Sequence, residues 1–429
     1  MGRKNLEETV IVPIVLIGGK GRRLWPITSA KSPKHLIYIK RLIPFMDRSN
    51  LLTNTMDNLK LIKSGIIQLG IQAALKDPII VCNEQDDYID IRSNIRLAGG
   101  FNSHEIIISE PYSKNTASAI ELACLAANKV YKNKNVIHVV VPVDHVIKQS
   151  HNAFGIAVAA AIQKAINYDN IIAIGTPIGT SKTLPDRDKG YINIKDHLGT
   201  NLDTSIISHY DINGFIEKPC DEYLKSIGSD VDNLWFVNTG IYAFKLGVYM
   251  NELNKCDETM YTTVLNSFEH GRFTEQKITE VKHIGKVKFK SSLHRFNVTP
   301  DDSYRLLKDD KTSIDYVVMS NKSVESKVVI GNYDWMDAGS WKSIFDNCES
   351  DTPTKNLTFI RNKNLTEENV FYIDAKSNLV VDTDVDKDPK IGVIGLNNIV
   401  IVKHDDKLLV ASRKHLDKVE SLSKYFGYQ

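Results

Sequence analysis

Short apolar runs alternate with segments of helical spacing over most of the chain. The runs are continuous and rich in β-branched residues, as expected for strands that helices cover on both faces of a sheet. They lie at residues 10–17, 78–82, 105–109, 137–142 and 171–175. Helical spacing separates some of them, at residues 115–131 and 153–166. The alternation predicts βαβ units, and therefore an α/β fold with a doubly wound, mainly parallel sheet of the Rossmann-like type.

The pattern changes after residue 348. Residues 351–368 are polar and resemble a loop. Short β-rich runs follow at residues 370–373, 379–381, 391–394, 398–402 and 408–411, and a helical pattern ends the chain at residues 415–428. We therefore predict two domains, a large one over residues 1–348 and a small β-rich one over residues 349–429.

Four aspartates alternate in the second predicted domain, at positions 382, 384, 386 and 388. A calcium-binding loop that began at Asp382 would need a glycine in place of Lys387 and a carboxylate in place of Val393. Because both positions fail, we expect a solvated acidic turn here.

Composition and charge narrow the classes of function. The chain is 42% apolar and 25% charged with a net charge of +2, which fits a soluble globular protein and is too balanced for a general nucleic-acid binder. The cysteines form no CxxC pair, so neither a thiolate zinc site nor a disulfide framework is predicted. The N-terminus lacks a signal-peptide pattern, and no apolar run reaches the roughly 18 residues of a membrane span. We expect a cytoplasmic protein without nucleic-acid or membrane partners.

The loop after the first predicted strand suits a phosphate ligand. Ligands of such sheets bind beyond the carboxyl ends of the strands, and Gly18, Gly19 and Gly21 allow the backbone to present N–H groups there. Residues 20–41 contain seven Lys or Arg and no acid. The string is neither a dinucleotide fingerprint, because Leu24 holds its last glycine position, nor a Walker A loop, which needs Gly-Lys-Ser/Thr. By themselves the glycines favour a simple glycine turn with a solvated basic face, because short glycine motifs are common.

The complete string GGKGRRLWP, with Pro33 and Lys34 after it, resembles the signature of nucleotidylyltransferases that act on sugar phosphates. Trp25 resembles the mannose-1-phosphate guanylyltransferase branch of that family. Seven further strings resemble the same branch in the same order: EPYSKNTASAI (110–120), VPVDHVI (141–147), GFIEKP (214–219), WFVNTGIYAF (235–244), SIDYVVM (313–319), DWMDAGSW (334–341) and GLNNIVIVKHDDKLLVA (395–411). The last string is similar to the β-helical tail of the branch, which implies a β-helix-like second domain.

The resemblance implies a reaction in which GMP is transferred from GTP to mannose 1-phosphate, giving GDP-mannose and pyrophosphate. A sugar-phosphate oxygen attacks the α-phosphorus in line. This nucleophile is already an anion at neutral pH, because the second pKa of a phosphate ester is about 6. Catalysis then requires cations, backbone N–H groups and Mg²⁺ rather than a general base.

The site residues that the resemblance implies fall into four groups. The candidate catalytic residues are Arg23 and Lys34 for the triphosphate and Lys218 for the sugar phosphate. Asp144 and Asp337 are the expected Mg²⁺ ligands, although a lone Asp after a strand can also cap a helix. Nucleotide contacts are expected at Gly18, Gly19, Gly21, Asn83, Glu110, Asn115 and Thr116. Sugar contacts are expected at Gly190, Tyr191, Glu217, Asn238 and Gly240.

Four positions depart from the family pattern. Arg22 replaces a small hydroxyl residue, His35 a glutamine, Lys114 an arginine and Lys189 a tyrosine. Because both carboxylates are retained, we predict an active enzyme. Two alternatives stay open: the same chemistry on another sugar 1-phosphate or nucleotide, and a non-catalytic sugar-nucleotide-binding protein. The sequence is also compatible with a homo-oligomer.

Overall fold

The computed structural model describes residues 8–19, 21–29, 32–37, 42–43, 46, 48, 50–86, 88–132, 134–149, 151–178, 186–194, 209–229, 234–284, 287–348, 354–360, 369–384 and 390–427. Helices in this part of the chain are α1 (Leu51–Gln68), α2 (Tyr88–Leu97), α3 (Thr116–Val130), α4 (His151–Asn167), α5 (Asp221–Ser229), α6 (Leu246–Cys256), α7 (Glu258–His270), α8 (Trp341–Asn347) and α9 (Val419–Tyr425). The strands up to residue 337 are β1 (Thr9–Leu16), β2 (Ala74–Leu75), β3 (Ile79–Asn83), β4 (His104–Glu110), β5 (Asn135–Pro142), β6 (His145–Gln149), β7 (Ile171–Pro177), β8 (Gly190–Ile194), β9 (His209–Glu217), β10 (Leu234–Lys245), β11 (Arg272–Ile284), β12 (Val287–Thr299), β13 (Ser326–Ile330) and β14 (Asp334–Asp337). The later strands are β15 (Leu357–Ile360), β16 (Val370–Ile373), β17 (Leu379–Asp382), β18 (Ile391–Ile394), β19 (Ile399–His404) and β20 (Lys407–Ser412).

The central sheet has twelve strands and is mixed rather than mainly parallel. Its order is β11–β12–β4–β3–β1–β5–β10–β7–β13–β9–β8, with β2 beside β1. Strands β12, β4, β3, β1 and β5 run parallel, whereas β10 is antiparallel to β5, β7 and β8. The prediction of a mainly parallel sheet therefore holds for the strands around β1, whereas the sheet as a whole is mixed. Strand direction has no signature in the apolar pattern once helices cover both faces, because either direction then gives continuous apolar runs.

Helices pack on both faces of the sheet, as a doubly wound fold requires. One apolar cluster joins the sheet to α1 and α4, and a second joins it to α3, α6 and α7. Helices α1 and α4 cross at two glycines, where a β-carbon on Gly65 would lie 2.1 Å from the carbonyl oxygen of Gly155. Only glycine permits this approach, so the two helices meet backbone to backbone.

The segments predicted from the first apolar runs are confirmed as β1, β3, β4, β5 and β7, and the two predicted helices as α3 and α4, with ends that move by one or two residues. The long β11–β12 hairpin lacked such a signal. Strand β11 reads RFTEQKITEVKHI and its described side chains are largely exposed, so it has no continuous apolar run. It occupies an edge of the sheet, where burial on both faces is not needed.

The second predicted domain, residues 349–429, is called the tail below. Its described strands form the parallel pairings β15–β17–β19 and β16–β18 and an antiparallel β19–β20 hairpin. A β-helix-like domain would contain such parallel strand pairs. The assignment of the tail as β-helix-like stays a prediction. Strand β15 lies within the segment predicted as a loop; residues 351–353 and 361–368 are outside the described residues. The terminal helical pattern resolves into a 3₁₀ segment, Arg413–Lys418, followed by α9.

The expected solvated acidic turn was wrong for its first two members. Asp382 and Asp384 are buried, and both contact the ammonium group of Lys403 on the neighbouring strand β19. The carboxylates are tolerated inside because a cation from another strand neutralises them. Asp386 and Asp388 lie outside the described residues.

The tail packs against the rest of the chain. Val381, Val402 and Leu416 belong to the same apolar cluster as Trp25 and Trp341. The indole N–H of Trp341 donates to the carbonyl oxygen of Trp25 at 2.8 Å.

Among the helices of the described residues, we found none long and apolar enough to cross a membrane.

Candidate active site

The loop after β1 is held in a conformation that needs glycine. Gly21 has φ 63°, and a β-carbon on it would lie 2.8 Å from Cβ of Lys34. The hydroxyl of Thr28 donates to the carbonyl oxygen of Gly21 at 2.9 Å. Backbone strain and lack of space therefore both exclude a side chain here, and the loop lies directly against Lys34.

This loop forms one wall of a cavity of about 840 Å³. The other walls come from the loops that follow β3 and β4, from Gly339, and from Glu420 in the tail helix α9. The described lining includes Gly19, Gly21, Arg22, Arg23, Lys34, Asn83, Glu84, Asp86, Tyr112, Ser113, Lys114 and Asp309. Arginine and lysine side chains and loop backbone thus face a space at the carboxyl edge of the parallel strands, which suits a polyphosphate.

Two carboxylates meet beside this cavity although 193 positions separate them in the sequence (337 − 144). Asp144 follows β5, and Asp337 ends β14. Strand β14 pairs with β6 so that Asp337 lies opposite His145, and the N–H of Ala338 donates to the carbonyl oxygen of Asp144 at 2.8 Å. This two-stranded pairing brings the two acids together.

The carboxylates share their surroundings with two cations. A β-carbon on Gly339 would lie 2.7 Å from Oδ1 of Asp337, 3.1 Å from Oδ2 of Asp144 and 3.4 Å from Nη2 of Arg23. Three charged groups therefore surround one small region next to the Gly339 backbone. The ammonium group of Lys34 donates to Oδ2 of Asp144 at 2.5 Å. Gly339 leaves the central space open, because any larger residue would enter it.

The local charges determine which of these groups are ionised. Burial by itself would raise the pKa of Asp144, but Lys34 and Arg23 hold that pKa well below its ordinary value. Burial would likewise lower the pKa of Arg23, but the charges of Asp337 and Asp144 raise it. Burial lowers the pKa of His145, so its imidazole is neutral at physiological pH. The site thus contains a charged carboxylate together with a permanent cation.

The two carboxylates fit a divalent cation that relies on its substrate for further ligands. Carboxylate oxygens are the donors that Mg²⁺ prefers, and Mg²⁺ usually keeps phosphate and water oxygens in its shell. Within the described residues we found no group of three or more His, Cys, Asp or Glu that could hold a metal ion without other ligands. Two carboxylates would leave the remaining positions around such an ion to phosphate and water oxygens.

The residues predicted for the sugar also lie close together. In the β8–β9 pair, Gly190 is opposite Glu217. A β-carbon on Gly190 would lie 2.5 Å from Oε2 of Glu217 and 3.4 Å from Cβ of Asn238. The side-chain amide of Asn238 donates to Oδ1 of Asp315 at 3.0 Å, and its carbonyl oxygen accepts from the N–H of Gly240 at 3.1 Å. The carboxylate of Glu217 and the amide of Asn238 thus border Gly190, and a β-carbon there would displace the Glu217 carboxylate.

Glu217 titrates in the physiological range. Burial raises its pKa to about 7, the charge of Asp315 adds to the increase, and Lys218 opposes it. The ammonium group of Lys218 lies 3.9 Å from Oε1 of Glu217 and its side chain is more than half exposed. Lys218 also has φ 48° and donates its N–H to the carbonyl oxygen of Lys189, which turns the chain at this edge.

Lys189 lies between the residues predicted for the sugar, around Gly190, and the carboxylate pair of Asp144 and Asp337. It immediately precedes Gly190, and its ammonium group lies 4.5 Å from the centre of the Trp335 ring. Burial lowers the pKa of Lys189, while the charges of Asp337 and Asp186 act in the opposite direction. The departure from tyrosine therefore places a cation between the two ends of the site.

Glu110 ends β4 and faces the glycine loop. A β-carbon on Gly18 would lie 3.5 Å from Oε2 of Glu110. The hydroxyl of Tyr304 donates to Oε1 of Glu110 at 2.6 Å. Burial raises the pKa of Glu110 to about 8, so the carboxyl group is mostly protonated at neutral pH. It can then donate a hydrogen bond as well as accept one.

Several other predicted site residues, and two positions that depart from the family pattern, make hydrogen bonds within the protein or are fully buried. Asn115 caps α3 by accepting from the N–H of Thr116, and the Thr116 hydroxyl accepts from the N–H of Ile314. The hydroxyl of Tyr191 bonds to the backbone of Asp186. Lys114 donates to the carbonyl oxygen of Leu307 and to Asp309. His35 is fully buried, and burial together with the charge of Lys34 lowers its pKa to about 3.

Some residues at the site were not predicted. Asp315 and Tyr242 complete the network around Asn238, with the Tyr242 hydroxyl donating to Asp315 at 2.5 Å. Both lie in strings that resemble the family, SIDYVVM and WFVNTGIYAF, so a signal for them was present in the sequence. Glu420 had no comparable signal, because it lies in an ordinary amphipathic segment far along the chain.

A mixed α/β sheet with a glycine- and arginine-containing loop and paired carboxylates at its carboxyl edge defines a nucleotide-binding class of protein. The family model described as Nucleotidyl transferase matches residues 12–353 of this chain. The chain belongs to this family.

Two relatives and one solved structure illustrate the similarity. Mannose-1-phosphate guanylyltransferase ManC from Salmonella typhimurium is 26% identical over 421 residues, which cover 97% of this chain and 73% of that protein. A mannose-1-phosphate guanylyltransferase from Escherichia coli is 26% identical over 418 residues, with the same two shares. A crystal structure described as mannose-1-phosphate geranyltransferase, from Thermus thermophilus, has a TM-score of 0.64 at 20% identity and covers 97% of this chain and 99% of its own. This structural likeness concerns the fold.

Proposed function

We propose that this chain transfers GMP from GTP to mannose 1-phosphate and releases pyrophosphate, giving GDP-mannose. The observation that carries the proposal is the convergence of Asp144, Asp337, Arg23 and Lys34 beside the cavity of about 840 Å³. Family membership supports nucleotidyl transfer, and the names of the relatives support the guanosine and mannose parts.

The nucleotide would lie in the cavity beside the loop after β1. Arg23 and Lys34 would neutralise the triphosphate, and N–H groups of Gly18, Gly19 and Gly21 would bind its oxygens. To do so, Lys34 would exchange Asp144 for a phosphate oxygen. Asn83, Glu110, Asn115 and Thr116 would border the nucleoside, where the protonated Glu110 provides both a donor and an acceptor.

Asp144 and Asp337 would hold Mg²⁺. The ion would supply positive charge to the α-phosphate and the leaving pyrophosphate, which is the main electrostatic demand of the reaction. Arg23 would remain beside both carboxylates and prevent the site from repelling the incoming phosphates. The protein's remaining task is to align the two anionic substrates in line.

The sugar phosphate would lie near Gly190 and Tyr191, with Lys218 as its partner of opposite charge. Glu217 and Asn238 would bind the sugar hydroxyls, while Gly240 would leave room beside Pro142. Residues 1–348 would form the catalytic domain and residues 349–429 a β-helix-like domain. We further propose a cytoplasmic location and no nucleic-acid or membrane partner. Light scattering would test whether the protein forms a homo-oligomer.

A substrate matrix tests the proposed reaction. Release of pyrophosphate is measured for GTP, ATP and UTP, each with mannose 1-phosphate or glucose 1-phosphate, at saturating Mg²⁺. We expect GTP with mannose 1-phosphate to give the highest kcat/KM. Strong turnover of another pair would replace the substrates but keep the chemistry, whereas binding without turnover of any pair would favour a non-catalytic protein.

Carboxylate variants test the metal site. Asp144→Asn and Asp337→Asn should each lower kcat by about 10²-fold or more, because each removes charge at the reacting phosphates. Asp334→Asn is the matched control, since it makes the same change at the other end of β14. Wild-type activity in either site variant would refute the assigned role.

A further inference from the structure

The tail helix α9 lies on the glycine loop of the proposed nucleotide site. The rings of Trp25 and Phe426 stack with centroids 5.4 Å apart and planes 12° apart. Beside this stack, Nη1 of Arg22 lies 3.8 Å from Oε1 of Glu420. Both members of the pair line the 840 Å³ cavity. A residue more than 390 positions downstream of the loop therefore faces the space proposed for the triphosphate.

Arg22 has unused hydrogen-bonding capacity in this arrangement. Its Nε is buried and has no hydrogen-bond partner among the described residues. The 3.8 Å between Nη1 of Arg22 and Oε1 of Glu420 is the distance of a loose ion pair and is longer than a direct hydrogen bond. A guanidinium group has five donors in a planar fork that matches phosphate. The departure from the family's small hydroxyl thus adds a cation with an unpartnered Nε donor at the glycine loop.

Glu420 supplies the competing negative charge. Burial would raise its pKa, but the hydrogen bond and charge of Lys424, with Arg22 and Arg23, lower that pKa below its ordinary value. Glu420 is therefore ionised at neutral pH. A nucleoside triphosphate carries several negative charges, so it and Glu420 compete for the same cations and repel each other.

We propose that Arg22 is an additional triphosphate-binding residue of the nucleotide site, and that Glu420 is the anion that holds it until the nucleotide replaces the carboxylate. The proposal rests on the proposed function for its choice of ligand. Nucleotide binding would break the Arg22–Glu420 pair and form a stronger Arg22–phosphate contact. The carboxylate of α9 thereby sets the affinity of the loop for triphosphate.

A double-mutant cycle on this pair tests the proposal. Dissociation constants for GTP are measured by titration calorimetry without sugar phosphate, for wild type, Arg22→Gln, Glu420→Gln and the double variant. Arg22→Gln should weaken binding about tenfold, and Glu420→Gln should tighten it about threefold to tenfold. In the Arg22→Gln background the second substitution should have a much smaller effect. Asp417→Asn is the matched control, because it removes an exposed carboxylate just before α9.

Inorganic tripolyphosphate separates this proposal from the proposed function. It has neither base nor sugar, so the same order of affinities should appear with it even if the chain prefers another nucleotide. The proposal is overturned if Glu420→Gln leaves the affinity for tripolyphosphate unchanged or weakens it, or if Arg22→Gln has no effect. A purely structural helix would instead give weaker binding and a lower unfolding midpoint when Glu420 is replaced.

Discussion

Glu110 is buried at the end of β4, and its pKa is raised by burial from an ordinary value of 4.5 to about 8. The folded protein therefore binds this proton more tightly than the unfolded chain, and an increase in pH favours unfolding. From the two pKa values, the stability that the folded protein gains by holding this proton is lost between about pH 5.5 and about pH 8.5, and the loss is about 3 kcal/mol.

Glu110→Gln removes this titration while keeping the shape of the neutral carboxyl group. The free energy of unfolding of the variant, minus that of wild type, should grow by about 3 kcal/mol from about pH 5.5 to about pH 8.5. Urea unfolding of the nucleotide-free proteins, followed by tryptophan fluorescence, measures both values. Loss of the hydrogen bond with Tyr304 would shift both conditions equally and leave the difference unaffected.

Glu222→Gln provides the control for Glu110→Gln, because it makes the same chemical change at an exposed position of α5. Its difference from wild type should be the same under both conditions. A constant difference for Glu110→Gln as well would show that Glu110 is ionised in the folded protein throughout, and would refute the reasoning.

Three further predictions concern other parts of the structure. Gly339→Ala places a methyl group 2.7 Å from Oδ1 of Asp337, so steady-state kinetics should show kcat lowered about tenfold or more with little change in the unfolding midpoint. Glu217 loses its proton near its raised pKa of about 7, and the ionised carboxylate accepts hydrogen bonds from sugar hydroxyls more strongly. The wild-type KM for sugar phosphate should therefore fall about threefold between about pH 6 and about pH 8. This decrease in KM should be absent in Glu217→Gln. Glu105 is buried and contacts three arginines, so Glu105→Gln should cost about 3 kcal/mol in urea unfolding; a loss under about 1 kcal/mol would contradict this estimate.

Much of the structure before residue 348 was predictable because its signals are local. Continuous apolar runs indicated the approximate positions of β1, β3, β4, β5 and β7, and several predicted site residues lie at the ends of these strands or in the loops after them. The motif strings also pointed to Asn238 and Glu217 as candidates, and the β8–β9 and β8–β10 pairings bring these two residues together. Local periodicity has a direct physical cause, since side chains on strands and helices must match the buried faces.

Other features of the structure could not be predicted from local patterns. The donors of Lys114 are directed to Leu307 and Asp309, two partners that its motif string does not indicate. Asp382 and Asp384 read as a solvated turn but are buried, because Lys403 comes from a different strand. In each case the deciding partner is distant in sequence, so no local pattern contains it.

The sequence by itself determined the βαβ organisation, the glycine loop and the motif residues, because each depends on neighbouring positions. Only the tertiary structure decided that β10 runs antiparallel, that the β6–β14 pair brings Asp144 beside Asp337, and that α9 covers the loop at Arg22. These outcomes depend on pairings between positions that are far apart in the sequence. Such pairings are selected by the packing of the whole chain, which must repay the entropy of closing those long loops.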